Sequence, residues 1–370
     1  MISVNDRLAD AAVHHAVDLA QYSTGTVRRI IALLNRTDAD LMAQLTTALA
    51  TMDPASFTVE RLDAVLQSVR ALNVQAYQRV EMALTDELRQ FAATEWAYQQ
   101  TVLPAAGIPV SVSFASASAT QVYSAAMSRP FQGRLLSEWA KSIEADRMVR
   151  IRDAIRIGYV EGQTNEQIIK RIRGTRAKGY SDGIIEIDRR NAEAVVRTAV
   201  QHTAAGARDE MFRQNLDVIK AVRWSSTLDG RTTETCRIHD GRLYEPETHK
   251  PIGHSIPWGS GPGRAHWRCR STAIAVVKSL SELTGVEGMP EFPVGMRASM
   301  DGAIPADVSY SQWIQKQSAA RQDEIVGPAR GKLMREGKLP FDSLYTDRGV
   351  YLTLDQLRER NAAAFRRAGV

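Results

Sequence analysis

From Thr58 to about Tyr98 the chain contains no Gly and no Pro, while Leu62, Val65, Val69, Leu72, Ala76, Val80, Leu84, Leu88 and Phe91 recur every three or four positions. An apolar stripe of that period is buried only by a helix. At 1.5 Å per residue, about 40 residues make a rod of roughly 60 Å, long for a compact globule and suited to a bundle or a reach between subunits. Asp53-Pro54 precedes the rod, and Pro104, Gly107 and Pro109 end it. Before it, Val27, Ile30, Ile31 and Leu34, then Leu41, Leu45, Ala48 and Leu49, predict shorter helices of the same plan. Residues 1–110 therefore read as a helical arm or bundle.

Residues 111–184 read as a linker followed by a basic helical segment. Ser111 to Ser128 is rich in Ser and Ala without a period. Helix resumes around Arg134, with Leu135, Trp139, Ile143, Ile151 and Ile155 on one stripe, and stops near Gly158 to Gly162. Thr164-Asn-Glu-Gln167 has capping-box form and predicts a short helix from Asn165 to Arg173. Within this stretch Arg147, Arg150, Arg152, Arg156, Lys170, Arg171 and Arg173 meet only Asp153, Glu161 and Glu166 in the local sequence. They form the candidate surface for DNA or an acidic partner; a solvated helix face is the alternative.

In residues 185–285 the character changes. A helix from about Ile187 to Gln214 gives way to Val218, Lys220, Val222 and Trp224, which alternate as in a half-buried strand, and Ala273 to Val277 is a second, fully apolar strand. Between them lie both cysteines and four of the seven histidines, in a segment that opens Cys236-Arg-Ile-His239 and closes His266-Trp-Arg-Cys269. Two residues between paired ligands lets one turn of backbone aim both at a single ion, and thiolate with imidazole suits zinc. Cys236, His239, His266 and Cys269 are thus a candidate structural zinc site, with His249 and His254 as substitute ligands. A catalytic zinc would use three of them and keep one position for water. Two buried thiols, or a disulfide in an oxidising compartment, remain open readings of the same cysteines. A metal tether would explain how the loop containing Gly253, Pro257, Gly259, Gly261, Pro262 and Gly263 keeps one conformation.

The run Trp224-Ser-Ser-Thr-Leu-Asp229-Gly-Arg231-Thr232-Thr-Glu-Thr-Cys236-Arg-Ile-His239-Asp240-Gly241-Arg-Leu-Tyr244, followed by Arg264-Ala-His266-Trp-Arg-Cys269-Arg270, resembles the minor head, or head morphogenesis, proteins of tailed bacteriophages, the Mu F-like and SPP1 gp7-like group. That family's signature is Trp-x-x-x-x-Asp-x-Arg-Thr, then Cys, then Asp-Gly, and last a His-x-x-Cys-Arg-Cys knuckle. The chain departs from it at Ser271, where the last cysteine commonly stands. His239, three residues after Cys236, is placed to compensate. Upstream, Arg197-Thr198 resembles the family's Arg-Thr-Glu helix, with Ala199 in place of the glutamate; downstream, Val308 to Leu357 is similar to a C-terminal extension of such proteins. The resemblance spans roughly residues 150 to 370, and the first 130 carry no recognised motif.

The resemblance implies a virion structural protein in few copies inside the head, made in the host cytoplasm, with portal and major capsid protein as partners and DNA as a further contact. It also implies a structural role for zinc, and structural roles for Asp229, Arg231, Asp240, Gly241 and Arg270. Asp229 and Arg231 are expected to lock a turn by carboxylate–guanidinium hydrogen bonds.

Composition fits this reading: 44% apolar and 24% charged residues indicate a globular chain, and two cysteines argue against a disulfide framework. The net charge of +5 is too small over this length to decide for nucleic acid. The start lacks the pattern of a signal peptide, and no apolar run is long enough for a spanning helix, so no membrane role is expected. No Walker-type loop, nucleophile elbow or His-Glu-x-x-His helix occurs, so no enzyme is expected. A zinc-dependent nuclease or toxin-like effector, and a DNA-binding zinc module, are the alternatives. The expected fold is α+β and mainly α: a long N-terminal helical region, a small mixed domain around a zinc-knuckle-like loop, and a helical C-terminal extension over 286–370.

Overall fold

A computed structural model describes residues 4–52, 58–108, 117–287 and 296–370. Its first part is helical: α1 (Val4–Ala50), α2 (Val59–Val65), α3 (Gln67–Ala105), α4 (Ala119–Met127), α5 (Leu136–Val160), α6 (Asn165–Arg173) and α7 (Ile184–Gln214). The mixed region follows as β1 (Ile219–Ser225), α8 (Glu234–His239), β2 (Leu243–Tyr244), β3 (Pro251–Ile252), β4 (Thr272–Val277) and α9 (Leu280–Thr284). The chain closes with β5 (Met296–Ser299), β6 (Gly302–Pro305), α10 (Tyr310–Gln315), α11 (Ala319–Val326), α12 (Pro328–Arg335), α13 (Leu354–Arg360) and α14 (Ala362–Ala368). The α+β, mainly helical class is as expected. Asp53-Pro54, Pro109 and Ser111 to Ser116 of the expected boundaries lie outside the described residues.

Two compact units result, and they do not follow the four linear segments read from the sequence. One gathers residues 1–19, 92–123 and 204–370; the other gathers 20–91 and 124–203. Helices α1, α3, α4 and α7 each contribute residues to both.

In the second unit, Leu41, Leu45 and Leu49 of α1 bury against Leu62, Leu66 and Val69 and against Ile151, Ile155, Ile168 and Ile172. The rod expected from Thr58 is interrupted only at Leu66, and the helical ladder continues through it, from the Leu66 N–H to Leu62 O (2.9 Å) and from the Arg70 N–H to Leu66 O (2.8 Å). The shorter helices expected before it are in fact one helix of 47 residues. The polar stretch Arg36-Thr-Asp-Ala-Asp40 had separated its two apolar runs, but Asp38 is buried there. It pairs with Arg147 and, at 3.0 Å, with Arg189. A buried charge whose partners lie on α5 and α7 looks like solvent-facing sequence.

Arg147 also faces Asp188 at 3.6 Å, and Arg150 pairs with Asp188 at 2.6 Å. Burial pushes the Asp188 carboxyl up to about 6, against the pull of both arginines. The fold therefore holds a proton on Asp188 over a window in which the unfolded chain, titrating at about 3.9, has released it. More protons bound in the native state means that stability falls as pH rises from about 4 to 6, by roughly 3 kcal/mol at most. Urea unfolding of wild type and Asp188→Asn between pH 4.5 and 7.5 checks this: the wild type should lose stability relative to the variant, and parallel profiles would refute it.

In the first unit, the sheet has strand order β3-β2-β1-β4, all pairs antiparallel, with Trp224 opposite Ala273 and Arg223 opposite Ile274. The two strands read from the sequence thus pair directly. Their apolar faces share a core with Val4 and Leu8 of α1, Trp96 and Leu103 of α3, and Met211 and Phe212 of α7. The C-terminal residues have a second core, formed by Tyr310, Trp313, Leu333, Phe341, Leu357 and Phe365. Leu228, Ile238 and Ile256 from the Cys/His segment are part of it. This part is not wholly helical as expected, since β5 and β6 form a hairpin in it.

Candidate metal centre

Strand β1 ends at Ser225, and the chain turns into α8, whose N-cap is Thr233. The Thr233 hydroxyl accepts from the Cys236 N–H at 3.5 Å, so the cap fixes the turn that carries Cys236. From the other side, His266 and Cys269 stand just before β4. Pairing of β1 with β4 brings these two ends together: Cys236 Sγ lies 3.7 Å from Cys269 Sγ and 3.1 Å from His266 Nε2. The three donor atoms lie within 4.8 Å of one another.

The donors fit zinc. Tetrahedral coordination with Zn–S near 2.3 Å sets two sulfurs about 3.8 Å apart, close to the separation found, whereas a disulfide needs about 2.05 Å. Both thiols are free and buried. The Cys236–His266 distance is a few tenths of an ångström shorter than the roughly 3.6 Å that the same geometry gives. His266 Nδ1 faces its neighbour's carbonyl, Trp267 O, at 2.9 Å. With the proton on Nδ1, Nε2 is left with its lone pair for a metal, and the carbonyl fixes the orientation of the imidazole. The Cys236 thiol and, against burial, the His266 ring hold Cys269 well below the usual thiol range, while Cys269 and burial push Cys236 up.

His239 is not brought to this cluster, and the expectation that it completes the site is corrected. Its Nδ1 lies 2.7 Å from Thr235 O and its Nε2 3.0 Å from Pro257 O, and its ring packs on Trp224 at 4.3 Å. Each nitrogen faces a backbone carbonyl rather than the cluster, so the side chain lies between α8 and the Gly/Pro-rich loop. The substitutes are placed similarly. His254 Nε2 faces Leu243 O at 2.9 Å, its Nδ1 accepts from the Ile256 N–H at 3.2 Å, and His249 stacks on Trp258 at 4.6 Å. Three of the four histidines therefore belong to an aromatic cluster with Trp224, Tyr244 and Trp258. Spacing put His239 one turn from Cys236, but the helix aims it at the loop. His239→Ala is expected to keep its full metal content while losing about 1–3 kcal/mol of stability, read by elemental analysis beside urea unfolding. Loss of metal with unchanged stability would reverse the assignment.

Ser271, in the place of the family's last cysteine, is buried with its hydroxyl 3.1 Å from that of Ser226. Ser226 in turn donates to Cys236 O at 2.7 Å and accepts from Trp224 Nε1 at 3.1 Å. It braces the backbone of one ligand against the strand, a role that no sequence signal announced.

The turn residues also rearrange. Asp229 is locked by Arg270, not by Arg231: two hydrogen bonds of 2.7 and 2.9 Å join them. Arg231 is 85% exposed, with its guanidinium 3.7 Å away, and only its backbone N–H reaches the carboxylate, at 3.0 Å. Burial would raise Asp229, but the Arg270 hydrogen bonds and charge outweigh it and hold the carboxyl below its ordinary range. Arg270 follows Cys269, so this bidentate pair ties one ligand's backbone to the turn leading to the other.

Asp240 is a buried hub. Its carboxylate accepts from the Ser226 N–H and the Tyr310 N–H, each at 2.7 Å, and from both terminal nitrogens of Arg297 at 3.0 Å. Gly241 follows with φ +81°, a left-handed position suited to glycine, and donates to Trp224 O at 2.8 Å. Arg297 went unread in the sequence because nothing in Met-Arg-Ala-Ser marks a buried ion pair.

The basic segment lies apart, on α5 and α6. Arg147 is 1% exposed and is corrected from a contact residue to a core ion pair. Arg150 is held by Asp188, Arg152 and Arg156 stand beside Asp153, Lys170 by Glu166, and Arg171 by Glu161. Arg173 is exposed and lies over the Tyr180 ring.

Residues 149–274 match the family model described as Phage Mu protein F like protein. The match begins in α5 and ends in β4, so it encloses the three clustered donors and agrees with the head morphogenesis resemblance. No curated protein and no solved structure matches the chain.

Proposed function

We propose, from the Mu F-like segment at residues 149–274, that this chain is a minor head protein of a tailed bacteriophage. In this reading it is a structural component in few copies inside the head, assembled in the host cytoplasm with portal and major capsid protein, and it assists head morphogenesis and DNA packaging or ejection. The single observation that carries the reading is the match over the segment containing the knuckle. Among the described residues no helix is long and apolar enough to cross a membrane.

Zinc, held by Cys236, His266 and Cys269, would supply a structural cross-link between the turn after β1 and the loop before β4. The chain's own residues then hold the surrounding loop, through His239 on Pro257 O and Arg270 on Asp229. A structural role is favoured over an enzymatic one by the state of the nearby carboxylates. Asp229 is bound bidentately by Arg270, and Asp240 is saturated by four donors. A hydrolytic metal centre needs a base free to take a proton from water. The pairing of the basic segment with Asp153, Glu161, Glu166 and Asp188 also weakens the DNA-binding alternative.

The test uses purified particles of the phage that encodes the chain, separated into heads and tails, cross-linked and read by mass spectrometry. The chain should be found in heads, at low copy number, cross-linked to portal. Absence from particles, or metal-dependent DNA cleavage by the purified chain, would overturn the proposal.

A further inference from the structure

We infer that Thr233 lines the fourth coordination position of this centre, which is therefore an oxygen position, filled by its hydroxyl or by a water that it holds, and not a fourth cysteine or histidine. The inference rests on the zinc reading above and concerns which of this chain's residues complete it.

Three observations carry it. First, Cys236, His266 and Cys269 are the only His, Cys, Asp or Glu in the cluster among the described residues. Second, His239 and His254 turn their ring nitrogens to the backbone, and Ser271, the other hydroxyl beside Cys236, is buried against Ser226 and away from the accessible side of the site. Third, Thr233 Oγ1 stands 2.9 Å from His266 Nε2 and accepts from the Cys236 backbone N–H at 3.5 Å. It faces one donor atom directly and holds the turn that carries a second.

Burial gives the direction. Cys236 and Cys269 are buried, while His266 and Thr233 are half-exposed. The thiolates thus form the inner face of the site, and the fourth position opens on the side where water has access. Two thiolates, one neutral imidazole and one neutral oxygen donor balance the charge of a divalent zinc. Thr233 serves both roles at once, since its hydroxyl caps α8 and faces the cluster.

The experiment loads the full chain with cobalt(II) in place of zinc and reads the thiolate-to-metal absorption, with zinc competition giving relative affinities. Wild type should show a two-thiolate band, unchanged in His239→Ala. Thr233→Cys should add the intensity of a third thiolate. Thr233→Val should bind about tenfold more weakly, as losses around a metal site do, and Thr233→Ser should restore binding. The loss of the helix cap is separated by unfolding in chelator, where Val and wild type differ by the cap alone. A third thiolate in Ser271→Cys but not in Thr233→Cys, or a band altered in His239→Ala, would overturn the Thr233 assignment and leave the zinc reading standing. No cobalt bound by any form would bring down both.

Discussion

Asp240→Ala is expected to lower the unfolding free energy by about 3–5 kcal/mol, the cost of leaving one half of a buried ion pair without the other. The Asp240 side chain is fully buried and its Arg297 partner nearly so. Removing the carboxylate strands the guanidinium and two backbone donors, on Ser226 and Tyr310. Arg297 would keep only Val308 O, Ser226 O and a distant Ser225 hydroxyl, which accept its hydrogen bonds without balancing its charge. Because Ser226 braces Cys236, the loss also loosens the Cys236, His266 and Cys269 cluster. Asp240→Asn with Arg297→Met should cost less than Asp240→Ala, since no charge is then left buried. Urea unfolding of the three forms decides it. A loss under about 1 kcal/mol for Asp240→Ala would mean that water reaches Arg297 and that the hub is dispensable.

Metal removal should produce the second large effect. A site bound only in the native state adds stability by mass action, about 4 kcal/mol when free zinc exceeds its dissociation constant a thousandfold. Chelation should then lower the melting temperature by roughly 10 °C. Cys236→Ser and Cys269→Ser should each start from the lowered value, bind no zinc, and respond little to chelator. The His239→Ala variant should respond to chelator as the wild type does, because it weakens the loop without touching the ligands. Melting curves unmoved by chelator, with no zinc in the wild type, would leave Arg270–Asp229 and the Ser226 hub to hold the segment alone.

Much of the fold was legible because it is written in local periods. The apolar stripe from Leu62 to Phe91, the Thr164 capping box and the alternation around Val222 each act within a few residues. Helices α3 and α6 and strand β1 lie accordingly where the pattern put them. The candidate donors Cys236, His266 and Cys269 were legible too, since paired spacing is a local signal. What failed was the reading of charged and polar side chains whose partners lie far away in sequence. Asp38 and Asp188 do not appear in the window that made Arg147 look free, and Arg270 does not appear beside Asp229.

Backbone period and donor spacing are set by neighbours along the chain, so most element types, the candidate donors Cys236, His266 and Cys269 and the Mu F-like segment could be read before the fold was known. Packing decided which charges are buried, that Asp240 binds Arg297 and Tyr310, and that His239 serves the loop while Thr233 faces His266. Those outcomes depend on which side of a helix meets which strand. A side chain reads the same in the sequence whether it will face water, a carbonyl or a zinc ion.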